Sequence, residues 1–248
     1  MEILNYKDYT TQKSNKYRVM IYGSPGTGKT TLATSLFTGK TLLIDTEDGA
    51  RYLQNDTEQL GVYSLTNWDD FVHELRSDSF QEAAAQYDTI VIDTIMQLQD
   101  AIAKSKMLTS QSAYTQSDGT LSLKGYGYLK SLVMKFMNIL YNTEKNIVIV
   151  AHQTSKEQVV KGDDVKDMII QPAILGGALN EIVARCDIVG RMTAKTISKG
   201  KTKKQEVQRY VKIAPGDTTF ISKDRPGLFK DYETLIPTQD FIKELNDD

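Results

Sequence analysis

Residues Gly23 to Thr30 read GSPGTGKT and satisfy the pattern G-x-x-x-x-G-K-[ST]. Its chemistry is that of a phosphate cradle. Glycines at 23, 26 and 28 permit backbone angles closed to other residues, so successive N–H groups can turn toward one anion. A helix starting at the loop adds unpaired N–H groups and the positive end of its dipole. Lys29 has the length and charge to reach β- and γ-phosphates, the Thr30 hydroxyl is placed to ligate Mg²⁺, and Thr31 falls beside the α-phosphate. Gly23, Ser24, Pro25, Gly26, Thr27, Gly28, Lys29, Thr30 and Thr31 form the expected nucleotide-binding set, with ATP and Mg²⁺ as cofactors.

A second acid belongs with this loop. Thr89-Ile90-Val91-Ile92-Asp93 is an apolar strand ending in a carboxylate, the pattern of the Walker B aspartate that holds Mg²⁺. Many ring-forming P-loop ATPases place a glutamate directly after that aspartate to activate water, but here the position is Thr94. The base must come from elsewhere. The strand Thr41 to Asp45 runs into Thr46-Glu47-Asp48-Gly49, so Glu47 sits at a strand's C-terminal end, where open α/β sheets build their sites. Glu47 is the expected general base, with Asp48 as its nearest competitor.

These groups need a scaffold to bring them together, and the sequence alternates accordingly. Tyr17 to Tyr22 predicts a strand entering the loop and Thr31 to Phe37 a helix leaving it. Trp68, Phe71, Val72 and Leu75 follow helical spacing behind Asn67 as N-cap. Leu129, Leu132, Val133, Phe136 and Leu140 mark a longer helix, and Asn146 to Ala151 a buried strand. Leu179, Ile182, Val183 and Cys186 mark another helix, followed by a strand from Asp187 to Met192. Such alternation implies an α/β fold with a mostly parallel sheet and helices on both faces. Val207 to Ile213 and Thr218 to Ser222 predict an antiparallel C-terminal extension, and Asp240 to Leu245 a closing helix. Residues 1–248 read as one domain, with 1–16 a lead and 193–236 the extension. Lys104 to Lys124 and Gln153 to Pro172 lack periodicity and are expected as long loops, a kind that is usually functional or disordered.

Bulk composition narrows the class. At 40% hydrophobic and 25% charged residues the chain suits a globular domain, and a net charge of −2 confines any nucleic-acid contact to local patches. The single cysteine, Cys186, rules out an intramolecular disulfide and suits a reducing compartment such as the cytoplasm; its helical spacing assigns it to the core. Glu2, Lys7, Asp8, Lys13 and Lys16 charge the first 16 positions, and no apolar run reaches a membrane span, so neither a signal peptide nor a membrane partner is expected.

The segments LIDTEDG, TIVIDT, IVIVAHQ and ILGGALNEIVARCDIVGRM together resemble the core of RecA-family recombinases over roughly residues 17 to 225. In size the chain is similar to the small phage RecA-core proteins that anneal or load single-stranded DNA. The resemblance implies a DNA-stimulated ATPase in a host-cell cytoplasm, working as a ring or filament of identical subunits, alongside a single-strand binding protein. It makes Glu47 the catalytic glutamate and Gln153, with His152 beside it, the sensor that relays the γ-phosphate to a DNA-binding loop closed by Gly176 to Leu179. Residues 1–16 are shorter than the N-terminal oligomerisation element of the large recombinases, and nothing matches the C-terminal DNA-gathering domain. The resemblance therefore does not imply full strand exchange, and it leaves annealing, exchange and unwinding open. Lys223-Asp224-Arg225-Pro226-Gly227 resembles the tail motif of hexameric RecA-fold helicases, whose lysine and arginine reach the γ-phosphate of a neighbouring subunit.

Three segments carry the expected DNA contacts. Lys195 to Lys204 holds five lysines and no acid, with Gly200 at a hairpin tip. Tyr114 lies among Lys104, Lys106 and Lys124, with Tyr126 and Tyr128 following, a mixture able to stack bases and hold backbone. Lys156, Lys161 and Lys166 are diluted by Glu157, Asp163, Asp164 and Asp167. The rival readings are a helicase-like ring motor or loader, a P-loop kinase of a small metabolite, and a nucleotide switch with little turnover. The kinase would bring an arginine-rich lid, which the sequence lacks; the switch would lack a base, against which Glu47 stands.

Overall fold

The computed structural model describes residues 16–53, 58–159, 166–175, 177–199, 204–230 and 234–247. The chain runs β1 (Arg18–Gly23), α1 (Lys29–Thr34), β2 (Thr41–Asp45), β3 (Leu60–Ser64), α2 (Trp68–Glu74), α3 (Asp78–Ala85), β4 (Thr89–Asp93), α4 (Ile95–Ala103) and α5 (Lys106–Thr109). It continues through α6 (Leu123–Tyr141), β5 (Asn146–Val159), β6 (Lys166–Pro172), α7 (Ala178–Arg185), β7 (Ile188–Lys199), β8 (Lys204–Lys212), β9 (Lys223–Asp224), β10 (Leu235–Pro237) and α8 (Thr238–Asn246). Along the sheet the order is β10-β8-β7-β1-β5-β4-β2-β3, with β6 added to β5 and β9 to β7. Pairing is parallel from β7 across to β3 and antiparallel for β6, β8, β9 and β10. This is the α/β class expected from the sequence, antiparallel C-terminal strands included.

Both faces of the central strands are covered, which is why β2 and β4 are buried at every position and read as unbroken apolar runs. Successive side chains point to opposite faces. Met20, Tyr22, Ile44, Ile92 and Ile149 accordingly pack on one side with α2, α4, α6 and α7. Val19, Ile21, Leu43, Val91 and Val150 pack on the other with α1 and α8. Asn67 caps α2 by accepting from the backbone N–H groups of Asp69 and Asp70. Cys186 is fully buried, and burial pushes its thiol up to about 12, so it is an inert core group. Among the described residues no helix is long and apolar enough to cross a membrane.

The register places the edge that matters. Gly23, the last residue of β1, lies opposite His152 of β5 and Met192 of β7. Both neighbours run on past that level. β5 continues to Val159 and pairs back with β6; β7 continues to Lys199 and pairs back with β8. Two antiparallel arms thus project from the same sheet edge as the phosphate loop, one on each side of β1.

Gln153 to Pro172 is therefore not a long loop. Its ladder runs from Gln153–Pro172 to Val159–Lys166. Ile170 packs against the core near the base of the ribbon, but Thr154 to Glu157 are exposed one after another, so β5 carries no alternation there to betray it. Lys104 to Lys124 also has structure: α5, a Thr115–Leu121 bridge, and a stack of Tyr114 on Tyr128 with ring centroids 4.7 Å apart. Thr218 to Ser222 is not the expected antiparallel strand. The Asp217 carboxylate accepts from the N–H and hydroxyl of Thr219 and turns the chain, leaving one parallel bridge from Phe220 to Ile170. The N-terminal lead (1–15), Lys161, Asp163, Asp164, Gly176, Gly200, Lys201 and Lys203 lie outside the described residues.

Phe71 sits at the centre of an aromatic group, with ring centroids of Tyr63, Trp68, Phe80 and Phe136 5.1 to 6.1 Å away. Phe71→Ala should lower the unfolding free energy by about 3–5 kcal/mol. Urea denaturation followed by tryptophan fluorescence measures it.

Candidate functional site

The phosphate loop closes on itself. Lys29 is 6% exposed, and its Nζ donates to the Ser24 carbonyl at 2.9 Å, as does the Thr27 hydroxyl. Gly26 and Gly28 adopt φ of 75° and 89°, where a side chain is strained. A Cβ on Gly23 would come within 2.4 Å of the Met192 carbonyl oxygen, so β7 admits no larger residue there. Burial lowers the pKa of the Lys29 ammonium, and the carboxylates of Asp93 and Glu47 oppose that fall.

Across the edge, the Thr30 hydroxyl donates to Asp93 Oδ2. Asp93 is 6% exposed. Burial pushes its carboxyl from 3.8 up to about 6; the charges of Glu47 and Asp45 add to the rise, while the Thr30 hydroxyl and Lys29 pull against it. A buried carboxylate beside a hydroxyl is a hard oxygen pair that suits Mg²⁺. Among the described residues no group of three or more His, Cys, Asp or Glu side chains could hold a metal by itself. A divalent ion here would take its remaining ligands from phosphate and water, as Mg²⁺ does beside nucleotides.

Glu47 is fixed from three sides. Its Oε1 accepts from the Thr94 hydroxyl at 2.7 Å and lies 3.1 Å from His152 Nε2. The turn that presents it is wound around Asp45, whose carboxylate accepts from the N–H groups of Glu47, Gly49 and Ala50 at 3.0, 3.2 and 2.8 Å. The Thr46 hydroxyl donates to the Asp93 carbonyl at 3.0 Å and accepts from the Thr94 N–H at 2.8 Å, tying this turn to the end of β4. The peptide bond joining Asp93 to Thr94 is cis. Asp48 instead pairs with Arg51 at 3.0 Å. Beside Glu47 opens a cleft of about 670 Å³, lined among others by His152, Ser64, Gln97, Asp100 and Lys104.

Not every residue singled out from the sequence joins this cluster. His152, rather than Gln153, faces Glu47; the Gln153 side chain accepts from Arg191 Nε at 3.1 Å. Among the described residues the buried His152 Nδ1 has no hydrogen-bond partner, and the ring's one polar contact there is with Glu47. Lys223 and Arg225 stand where β9 meets the first residues of β7, at the sheet edge opposite the loop. There they cap α7: Lys223 Nζ donates to the carbonyls of Val183 and Ala184, and Arg225 bonds Asp187 and Ala184. Sequence reasoning missed Asp45 and the two threonine hydroxyls. One signal was available, since β2 and β4 both end in aspartate, and the register sets Asp45 beside Asp93.

A family model described as AAA domain matches residues 15–226. No curated protein matches the sequence. Among solved structures, the flagellar accessory protein FlaH from Methanocaldococcus jannaschii is similar at 13% identity, over 79% of this chain and 76% of that one, with a TM-score of 0.38.

The raised Asp93 carboxyl makes stability depend on pH in a fixed direction. It binds its proton more tightly in the folded chain than in the unfolded one, so it favours the fold most below about pH 4, and that contribution is lost as pH rises through about 6. Asp93→Asn mimics the protonated state. Without nucleotide or divalent cations it should melt above the wild type at pH 8, by the equivalent of up to about 3 kcal/mol, and with it near pH 4. Paired thermal melts at the two pH values check this.

Proposed function

The chain belongs to the AAA domain family, and on that premise we propose that it binds ATP with Mg²⁺ and hydrolyses it. The observation that carries hydrolysis is the held Glu47 carboxylate, at the same sheet edge as Lys29 and the Thr30–Asp93 pair. Lys29 exchanges the Ser24 carbonyl for the β- and γ-phosphates. Thr30 and Asp93 hold Mg²⁺, which when bound supplies charge neutralisation on the phosphates. Glu47 takes a proton from water. Thr94 and His152 keep its carboxylate from turning away, so the threonine that occupies the usual base position serves the base that replaces it.

The substrate reading goes one step further: single-stranded DNA, in recombination or replication of the phage type, bound by an assembly of identical subunits. Support comes from the two arms at the nucleotide edge. Lys156 is exposed on one, and on the other Lys195 lies 5.8 Å from the centroid of Tyr210. Phosphate contacts of this kind carry no sequence preference and weaken steeply with salt. In such an assembly Lys223 and Arg225 reach a neighbour's phosphates only after releasing Ala184 and Asp187.

Glu47→Gln should retain nucleotide binding and lose about 10²-fold or more in kcat, whereas Lys29→Ala should lose turnover altogether. Phosphate-release assays with and without single-stranded DNA at two salt concentrations test both levels. Unchanged turnover in Glu47→Gln removes the base assignment. The absence of DNA stimulation, together with no oligonucleotide binding by fluorescence anisotropy at low salt, removes the DNA reading and favours a small-metabolite substrate.

A further inference from the structure

Arg209 lies on β8 opposite Ala194 of β7, beyond the level of Met192 where β1 ends at Gly23. Alternate residues of a strand share a face. Arg209 therefore points to the same side as Val211, which packs with Leu32 and Ala33 of α1. One step above that contact the arginine meets the phosphate loop. A Cβ built on Gly28 would lie 2.7 Å from Arg209 Nε, 3.0 Å from its Cδ and 3.6 Å from its Cζ. The guanidinium thus rests against the residue that precedes Lys29.

Among the described residues no acid accounts for a cation there. Arg209 is exposed, and among the described residues it makes no hydrogen bond or ion pair. Other arginines are engaged: Arg191 with Gln153, Arg225 with Asp187, and Arg51 with Asp48. A guanidinium resting against Gly28 has an anion to hold once phosphate occupies the loop, and its planar fork matches phosphate oxygens.

We propose that Arg209 is a nucleotide-binding residue donated by the same chain, its guanidinium closing on the diphosphate portion of the nucleotide held by the loop. The side from which it comes fixes which phosphates it touches. β8 approaches from beyond β7, whereas Asp93, Glu47 and His152 come from β4, β2 and β5 on the other side of β1. The γ-phosphate and attacking water belong to that carboxylate side, and the loop's backbone cradles the α- and β-phosphates. Arg209 therefore grips ADP and ATP alike.

The inference rests on nucleotide binding at the phosphate loop, and the test separates the two. Fluorescent ADP and ATP are titrated with Mg²⁺ into wild type, Arg209→Ala, Arg209→Lys and Lys29→Ala. Loss of a charge-assisted hydrogen bond should weaken both nucleotides in Arg209→Ala by about ten- to a hundredfold, with partial recovery in Arg209→Lys. Because no described residue makes a hydrogen bond or ion pair with the guanidinium, the nucleotide-free melting temperature should match wild type, while ADP should raise it less. Unchanged affinity, a loss confined to ATP, or a fall in the nucleotide-free melting temperature overturns the proposal. If Arg209→Ala is silent while Lys29→Ala still loses binding, only the Arg209 assignment fails. If Lys29→Ala is silent too, the phosphate-loop reading fails with it.

Discussion

Three charged side chains, Lys29, Asp45 and Asp93, are buried at one edge of a parallel sheet, and the local structure follows from what each needs there. A buried charge without partners is costly. Asp45 meets that constraint inside the chain, collecting three backbone N–H groups and winding the turn that carries Glu47. Lys29 meets it with a loop carbonyl, an acceptor easily exchanged for phosphate. Asp93 meets it least well. One hydroxyl and a nearby ammonium do not offset its burial and two neighbouring carboxylates, and its proton affinity rises in consequence. The site is thus stable as folded but electrostatically incomplete at one oxygen pair, where a cation restores the balance.

Much of this was legible in the chain itself, because it is local. The glycine spacing, the lysine and threonine that follow it, and the unbroken apolar run before Asp93 depend on neighbours in sequence. The helix behind Asn67 and the closing helix near the C-terminus follow from periodicity in the same way. Glu47 could be reached by elimination, since Thr94 leaves the usual base position without an acid.

What escaped is what joins distant segments. Thr94 reads as a gap, whereas its hydroxyl is a support for Glu47 across the β2–β4 pair. His152 and Gln153 are indistinguishable as polar residues at a strand end; the pleat alone decides that one faces Glu47 and the other Arg191. Lys223 and Arg225 match a motif for reaching outward, yet in this fold they close a helix C-terminus. The arm at Gln153 to Pro172 escaped because Thr154 to Glu157 are exposed one after another and show no hydrophobic alternation.

β5 is continuous from Asn146 in the core through His152 to Val159 in the arm. No turn or bulge separates the imidazole at Glu47 from the ribbon beyond it, and backbone ladders clamp the strand on both sides of that point. Slack is what loops provide, and here there is none. A tilt of β5 at the level of His152 is transmitted along the strand as through the shaft of an oar, with the far end of the ribbon sweeping the larger arc.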